Sequence, residues 1–429
     1  MRSGKFPIRM PTGRQAAGIG ESSLLPETPR ELFSHFAGDG VLYKGLFALF
    51  GLAGLWKYPM RAYGDLERMR FIDKVYWLYK TTRPVRKARR NSGLESYFDE
   101  QKRFVWALPP GFETQNELSV SAVGDLINHT YLSNSSESLY AEVANLVFGA
   151  DVSMANLECP VVPEARKDFV FSYNAPPPLY YDLRNFSVAK GIDGGKFTFM
   201  ATACNHSLDF GVEGVESTVQ VLRDEGIAFN GLNPDEQEAF RATLVEKGGI
   251  RIGVVAYTFG LNACRPPEER PNIVSRMKLN DGVGANDFDQ IRTQLDWCAS
   301  AGVDFVIAHL HWGLEHEFYP TPEQVELAHH LAELGIDAVI GHHPHVLQPT
   351  EFYRTRRDPH RVVPVFYSLG NLINFFSAPY LCRSGVARLE LVKGSLPDGK
   401  ERVYVRNAVV VEVVQEVDKE KKRIRLRRA

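Results

Sequence analysis

The chain has 429 residues, and its 50 Lys and Arg against 52 Asp and Glu give a formal charge of −2 at pH 7. Hydrophobic residues make up 44% and charged residues 24%, a globular composition that excludes fibrous, collagen-like and wholly disordered chains. The near-neutral charge gives no electrostatic basis for nucleic acid as a partner, and none is expected. The five cysteines are widely spread and form no CxxC pair, which favours free thiols over a disulfide framework or a zinc ribbon.

The N-terminal part, residues 1–115, is predicted to be a mostly helical extension with no recognisable chemistry. Its first 30 residues lack the apolar core of a secretory signal peptide. Residues 41–56 form an apolar stretch that contains Lys44 and is shorter than the roughly 20 residues that span a bilayer, which favours a buried or interfacial helix over a membrane anchor. Peripheral membrane contact through this stretch, and either a cytoplasmic or a membrane-associated location, are the expectations that follow.

From residue 117 onward, short β-branched runs alternate with helical segments, which is the pattern of an α/β protein. The predicted strands cover residues 120–123, 152–157, 197–203, 243–247, 250–257, 305–308, 338–340, 363–368, 386–392 and 403–415. The predicted helices cover residues 212–225 and 287–301, and a third begins at the capping box of Thr321. We expect one domain over residues 116–380, C-terminal strands that complete it over 381–429, and a solvated basic end over 421–428.

Five of these strands end in side chains that can bind a metal ion, and the ligands of open α/β sheets collect at the carboxyl ends of the strands. The candidates are Asp125, Glu158, Asn205 with His206, His309 with His311, and His343 with His345. Eight of the twelve histidines lie between residues 309 and 345, and such clustering is typical of metal or acid–base chemistry. Carboxylates and imidazoles suit Zn, Mn or Fe, so the pattern predicts a hydrolytic site for one or two divalent ions.

The motifs at these strand ends resemble, in the same order, those of the CapA family of poly-γ-glutamate capsule-synthesis proteins. They are Gly124-Asp125, Asn156-Leu157-Glu158, the run NHSLDFG from Asn205, the run HLHWG from His309, the run GHHPHV from Gly341 and the run YSLGN from Tyr367. The resemblance extends over about residues 118–375. It implies a calcineurin-like metallophosphoesterase fold, a sandwich of four α/β/β/α layers.

The resemblance also implies the metal ligands, which are Asp125, Glu158, Asn205, His309 or His311, His343 and His345. Asp125 would hold the first ion and Glu158 would bridge both. If strand alternation continues past His309, it and His311 face the same side, so the sequence leaves open which of the two is the ligand.

Four further residues would act beside the metal ions. His206 would donate a proton or stabilise charge next to the substrate, and Asp209 would orient it. Glu315 would either contact the substrate or support its loop, and Asn371 would either contact the substrate at the rim or lie in a turn. His342 is interpreted as structural.

Two positions depart from the ordinary metallophosphoesterase pattern, since Ile127 stands where a His ligand is usual and Glu158 where the bridge is usually Asp. The first metal site therefore has one ligand fewer.

The expected function is that of a CapA-type protein of polymer biosynthesis, a hydrolase that uses a metal-activated water on an anionic polymer or a phosphoester. Two alternatives are a general metallophosphoesterase and a catalytically silent, metal-stabilised scaffold of an export complex.

Residues 163–195 would form a long loop, either a lid or a packed surface loop.

Overall fold

The computed structural model describes residues 47, 50–51, 54–163, 178–376 and 378–429 of the chain. The predictions for the first 30 residues, for most of residues 41–56 and for residues 164–177 of the long loop lie outside the described residues. Among the helices that are described, none combines the length and the apolar character that crossing a membrane would require.

Helices and strands alternate along the described chain, as the sequence pattern predicts. The α-helices are α1 (Phe71–Thr82), α2 (Leu94–Gln101), α3 (Ala144–Phe148), α4 (Leu183–Ala189), α5 (Gly211–Asp224), α6 (Asp289–Ser300) and α7 (Pro322–Leu334). The strands are β1 (Glu113–Leu126), β2 (Val152–Leu157), β3 (Val161–Val162), β4 (Tyr181–Asp182), β5 (Gly191–Ile192), β6 (Gly195–Lys196), β7 (Phe199–Ala201), β8 (Ala228–Asn230), β9 (Thr243–Lys247), β10 (Ile250–Thr258), β11 (Phe305–His311), β12 (Ala338–His342), β13 (Thr350–Arg354), β14 (Val362–Phe366), β15 (Asn371–Ile373), β16 (Arg383–Ser395), β17 (Glu401–Asp418) and β18 (Arg423–Arg428). The described remainder of the long loop is therefore structured, because it contains β4, α4 and β5.

Two large sheets contain the strands that carry the candidate site. The eight-stranded sheet has the order β18-β17-β16-β1-β2-β7-β8 with β15 beside β1, and the six-stranded sheet has the order β13-β14-β12-β11-β10-β9. In the first sheet β1, β2, β7 and β8 run parallel, and in the second β10, β11, β12 and β14 run parallel. Each sheet therefore presents the carboxyl ends of its parallel strands at one edge.

Three apolar clusters show that the two sheets are stacked between two layers of helices. The core between the sheets contains Val120 of the first sheet and Ile307 of the second. The other face of the first sheet packs against α3, α4 and α5, for example through Phe186. The other face of the second sheet packs against α6 and α7, for example through Leu331. The predicted α/β/β/α arrangement is confirmed.

Two features that depend only on residues close together in the sequence, a pair of adjacent strands and a helix cap, form as predicted. The predicted strands 243–247 and 250–257 form a hairpin, with β9 and β10 paired antiparallel and Ile250 opposite Lys247. The predicted capping box also forms, because Thr321 Oγ1 accepts from Gln324 N at 3.2 Å and Gln324 Oε1 accepts from Thr321 N at 3.0 Å.

The C-terminal end is more ordered than the sequence analysis predicts. The basic side chains of residues 421–428 are mostly exposed, as expected, but Arg423–Arg428 also form β18 and pair antiparallel with β17. Ile424 and Leu426 alternate with the basic residues and are buried, a period-two signal that the high charge conceals. The division of the chain at residues 115 and 380 stays a prediction.

Candidate metal centre

The segment between β14 and β15 passes very close to two glycines, Gly124 in β1 of the first sheet and Gly341 in β12 of the second. A Cβ atom on Gly124 would lie 1.9 Å from the carbonyl oxygen of Gly370, and one on Gly341 would lie 2.0 Å from that of Tyr367. No side chain fits at either position, and glycine permits this approach of two backbones. The backbone N–H of Asp125 donates to the same Gly370 oxygen at 2.9 Å. The residues that follow the two glycines in β1 and β12 are thereby held close to each other.

Asp125 is fully buried and its carboxylate is surrounded by nitrogen atoms. Asn156 Nδ2 donates to Oδ1 at 2.9 Å, and the backbone N–H of His343 donates to Oδ2 at 3.2 Å. His342 Nδ1 lies 3.1 Å from Oδ1 and His345 Nδ1 lies 3.4 Å from Oδ2. Burial raises the pKa of Asp125, but the interactions with His342 and His345 outweigh burial and lower that pKa well below its usual range. Asp125 is therefore a carboxylate at neutral pH, which is the form that binds metal ions.

Glu158 follows β2 directly and is a buried carboxylate without a hydrogen-bond donor. Its exposure is 0%, and neither Oε1 nor Oε2 accepts a hydrogen bond from a described residue. Among the histidines, His345 Nε2 lies 3.5 Å and His311 Nε2 lies 3.7 Å from Oε1. Burial, followed by the charge of Asp125, raises the pKa of Glu158 well above its usual value. Without a cation the side chain is therefore either protonated or a costly unpartnered charge, and a bound cation is the partner that would favour its carboxylate form.

Two groups of donor atoms meet at Glu158. In one group Asp125, Glu158 and His311 place ligand atoms within 4.8 Å of one another, and in the other Glu158, His343 and His345 do so. Oxygen and imidazole donors of this kind suit first-row transition ions such as Mn, Fe and Zn. The residues present therefore fit a divalent metal ion, and the shared carboxylate fits the bridging position between two.

The histidines that follow β12 adopt unusual backbone conformations. The φ angle is 93° at His343 and 58° at His345, in the left-handed region that costs non-glycine residues roughly 1–3 kcal/mol. Burial lowers the pKa of His343, and that of His311, well below the usual value, so both imidazoles are neutral and able to bind metal. For His345, burial lowers the pKa but the bond to Asp125 and the charge of Glu315 outweigh burial, and the net pKa is raised.

His309 and His311, between which the sequence leaves the ligand open, have different surroundings in the structure. His311, the last residue of β11, places Nε2 2.9 Å from Asn205 Oδ1 and belongs to a donor group around Glu158. His309 lies two residues earlier, and its Nδ1 lies 3.0 Å from Nε2 of His342, with the rings stacked. The geometry favours His311 as the ligand. It also brings His342, which the sequence analysis interpreted as structural, between His309 and the carboxylate of Asp125.

His206 and Asp209 form a buried pair beside the donor groups. His206 Nδ1 lies 2.6 Å from Asp209 Oδ2, and the same oxygen accepts from the backbone N–H of Leu179 at 2.7 Å. Asn262 Nδ2 lies 3.4 Å from His206 Nε2, and Asn262 Oδ1 accepts from Asn205 Nδ2 at 3.2 Å. Asn262 is thus part of the site, although no motif pointed to it.

The two predicted substrate contacts occupy different places. Glu315 lines a cavity of about 230 Å³ that also opens on Glu158 and His206. Its Oε2 accepts a hydrogen bond from Trp77 Nε1 at 2.6 Å, a contact 238 residues away in sequence that no motif could indicate. Asn371 is fully buried and its Oδ1 lies 2.9 Å from His345 Nδ1, so its contact is with a donor histidine.

The structure is therefore that of an α/β protein with two stacked sheets. The carboxyl ends of their parallel strands carry a buried cluster of carboxylates and imidazoles that is suited to divalent metal ions. Residues 119–375 match the family model described as bacterial capsule synthesis protein PGA_cap. The chain belongs to this family, and the family recognised from the motifs is confirmed.

Two relatives carry names from the same family. Over 274 residues the chain is 24% identical to the capsule biosynthesis protein CapA of Bacillus anthracis, and the match covers 62% of each chain. Over 281 residues it is 26% identical to the PGA biosynthesis protein CapA of Bacillus subtilis strain 168, covering 63% of this chain and 68% of that protein. The chain thus spans less than two thirds of the Bacillus anthracis protein.

One solved structure shows a weaker likeness. A crystal structure of a Staphylococcus aureus protein named "Putative 5'-Nucleotidase", in complex with alpha-ketoglutarate, aligns with a TM-score of 0.36 and 12% identity. The alignment covers 71% of this chain and 57% of that chain.

Proposed function

We propose that the chain is a metal-dependent hydrolase that acts on an anionic polymer of the poly-γ-glutamate type. The observation that carries the proposal is Glu158, a fully buried side chain that belongs to both donor groups and accepts no hydrogen bond within the part of the chain that the structure describes. Such a side chain is costly in a protein without a cation and is explained by one that binds metal. The substrate class comes from the relatives, which are named for the biosynthesis of capsule and of PGA.

The proposed ligands of one or two Mn, Fe or Zn ions are Asp125, Glu158, Asn205, His311, His343 and His345. Bound divalent ions lower the pKa of coordinated water towards neutrality and so supply a nucleophile. The chain's own contribution is to hold these donors in a buried, preorganised cluster, in which Asn156 and His342 fix the carboxylate of Asp125.

His206 is the proposed proton donor to the leaving group. It lines the same cavity as Glu158 and His343, and Asp209 binds its Nδ1, so Nε2 is the nitrogen that would protonate the leaving group. A positioned general acid contributes about 10²- to 10⁴-fold to rate. We therefore expect His206→Ala to lower kcat by that factor at unchanged metal content, and Asp209→Asn to lower it about 10- to 100-fold.

The experiment compares two substrates on metal-loaded protein, with and without EDTA. Shortening of poly-γ-glutamate, followed by size-exclusion chromatography and abolished by EDTA, is the expected result. Hydrolysis of bis(4-nitrophenyl) phosphate without any action on the polymer would replace the proposal by a general phosphodiesterase. Tight metal binding without turnover of either substrate would replace it by a metal-stabilised scaffold.

A further inference from the structure

The cavity at the metal centre has a wall that lies outside the family match. It is lined by Glu158, His343 and His345 of the metal centre and, as a second wall, by the residues that lead into α1 and by α1 itself. This second wall, residues 62–80, precedes residue 119, where the match to the family begins. The chain therefore closes its cavity with a segment that the family domain does not include.

The wall is fixed to the family domain by polar contacts. Trp77 Nε1 donates to Glu315 Oε2 at 2.6 Å, and Lys80 Nζ donates to Glu317 Oε1 at 3.0 Å. Both side chains of the Lys80–Glu317 pair are only 3% exposed, and such pairs are sensitive to the loss of either partner. The backbone oxygen of Thr81 also accepts from the hydroxyl of Tyr380 at 2.8 Å. α1 is thus held in one position over the metal centre.

Lys74 differs from the other charged residues of the wall. Asp73 is bound by Arg70 at 2.8 Å, and Lys80 is bound by Glu317. Lys74 lines the cavity and is partly buried, yet its side-chain ammonium group makes no hydrogen bond or ion pair with any residue that the structure describes. A half-buried ammonium group beside a cavity, whose neighbours are already paired, is available to a negatively charged ligand.

We propose that Lys74 binds an anionic group of the substrate, a carboxylate or a phosphate, within the cavity that it lines together with residues of the metal centre. The inference rests on the proposed function, because it assigns to the same substrate a second point of attachment. The cavity volume of about 230 Å³ lies just below the ~300–1,000 Å³ of sites that enclose a drug-sized ligand. It therefore takes one terminal unit of a polymer or one small molecule, with its charge at Lys74 and its scissile bond at the donor groups.

The test uses Lys74→Gln and Lys74→Arg in the full chain, with Lys57→Gln as a matched control. Lys57 belongs to the same N-terminal part but is exposed and does not line the cavity. For the substrate that turns over, we expect Lys74→Gln to raise KM at least tenfold with kcat and metal content unchanged. We expect Lys74→Arg to recover most of the loss and Lys57→Gln to match the wild type. An unchanged KM in Lys74→Gln would overturn the inference.

Titration calorimetry decides the inference even if no substrate turns over. The probes are γ-linked triglutamate and inorganic phosphate, each added to metal-loaded protein, and they distinguish a carboxylate from a phosphate as the anion bound. Binding that weakens at least tenfold in Lys74→Gln supports Lys74 as the anion site, whereas equal binding in wild type and variant, or no binding of either probe, refutes it. Absence of turnover with Lys74-dependent binding would contradict the proposed hydrolase alone.

Discussion

Replacing Glu158 by Gln perturbs the carboxylate that both donor groups share, and we expect opposite effects with and without metal. In metal-free protein the wild type buries a carboxyl group that accepts no hydrogen bond from a described residue, and keeping this group ionised or protonated there at pH 8 costs about 1–3 kcal/mol or more. The amide carries no charge, so chelated E158Q is expected to be more stable than chelated wild type by about 1–3 kcal/mol at pH 8. With metal at 100 times its Kd, the wild type gains about 2.7 kcal/mol, and the variant loses most of this gain.

The pH dependence of the free energy of unfolding, measured on the chelated proteins, is a second test of the role of Glu158. Burial and the charge of Asp125 raise the pKa of Glu158, so the folded state holds this proton more tightly than the unfolded state. The resulting stability is full below the unfolded pKa and is lost as the pH rises through the folded pKa, at about 1.4 kcal/mol per pH unit. We expect the free energy of unfolding of chelated wild type to fall between about pH 4.5 and the raised folded pKa, and E158Q to lack this fall.

Urea denaturation in EDTA and in Mn²⁺ measures both effects, with Glu351→Gln as the control. Glu351 is equally buried, but it is bonded by Tyr97, His329 and Tyr367. Its loss should lower stability in both conditions and leave the metal-dependent gain intact. The reasoning is refuted if metal stabilises E158Q as much as the wild type, or if chelated E158Q is the less stable protein.

Two further predictions concern the ligand choice and the close backbone approach. His311→Asn should lower the metal content of purified protein sharply, while His309→Asn should leave it near the wild-type value; the reverse outcome would make His309 the ligand. Gly124→Ala should lower the free energy of unfolding by about 1–3 kcal/mol or more, because its Cβ would lie 1.9 Å from a backbone oxygen. Gly284→Ala, where a Cβ would meet nothing within 4 Å, is the control in the same denaturation experiment, and an equal effect at both positions would reject the steric explanation.

The sequence predicts those parts of the site that depend on a single strand and its end. Asp125, Glu158 and His311 each stand at or next to the carboxyl end of a strand, and a parallel sheet brings such ends together without any further information. The choice between His309 and His311 could not be made in this way, because alternation gives both the same face. It depends on how β12 lies beside β11, which places His342 opposite His311.

Contacts between distant segments account for what the sequence did not reveal. Trp77 donates a hydrogen bond to Glu315, which is 238 residues away in the sequence. The sequence of the N-terminal part predicts helices, but it does not predict that α1 lines the cavity at the metal centre. His342 follows a glycine in a run of histidines, and only the approach of β1 identifies its partner as Asp125. The strand β18 is not evident from the sequence, because its two apolar residues, Ile424 and Leu426, alternate with arginines and the segment therefore has the composition of a basic tail.

Elemental analysis of the purified chain measures the central claim, that the strand ends form a metal-binding cluster. The comparison is wild type against His343→Ala, with His360→Ala as the control, because His360 is exposed and belongs to neither donor group. We expect one or two Mn, Fe or Zn ions per chain in the wild type and the control, and a sharp fall in His343→Ala. A metal content near zero in all three proteins, or equal content in all three, would contradict the account.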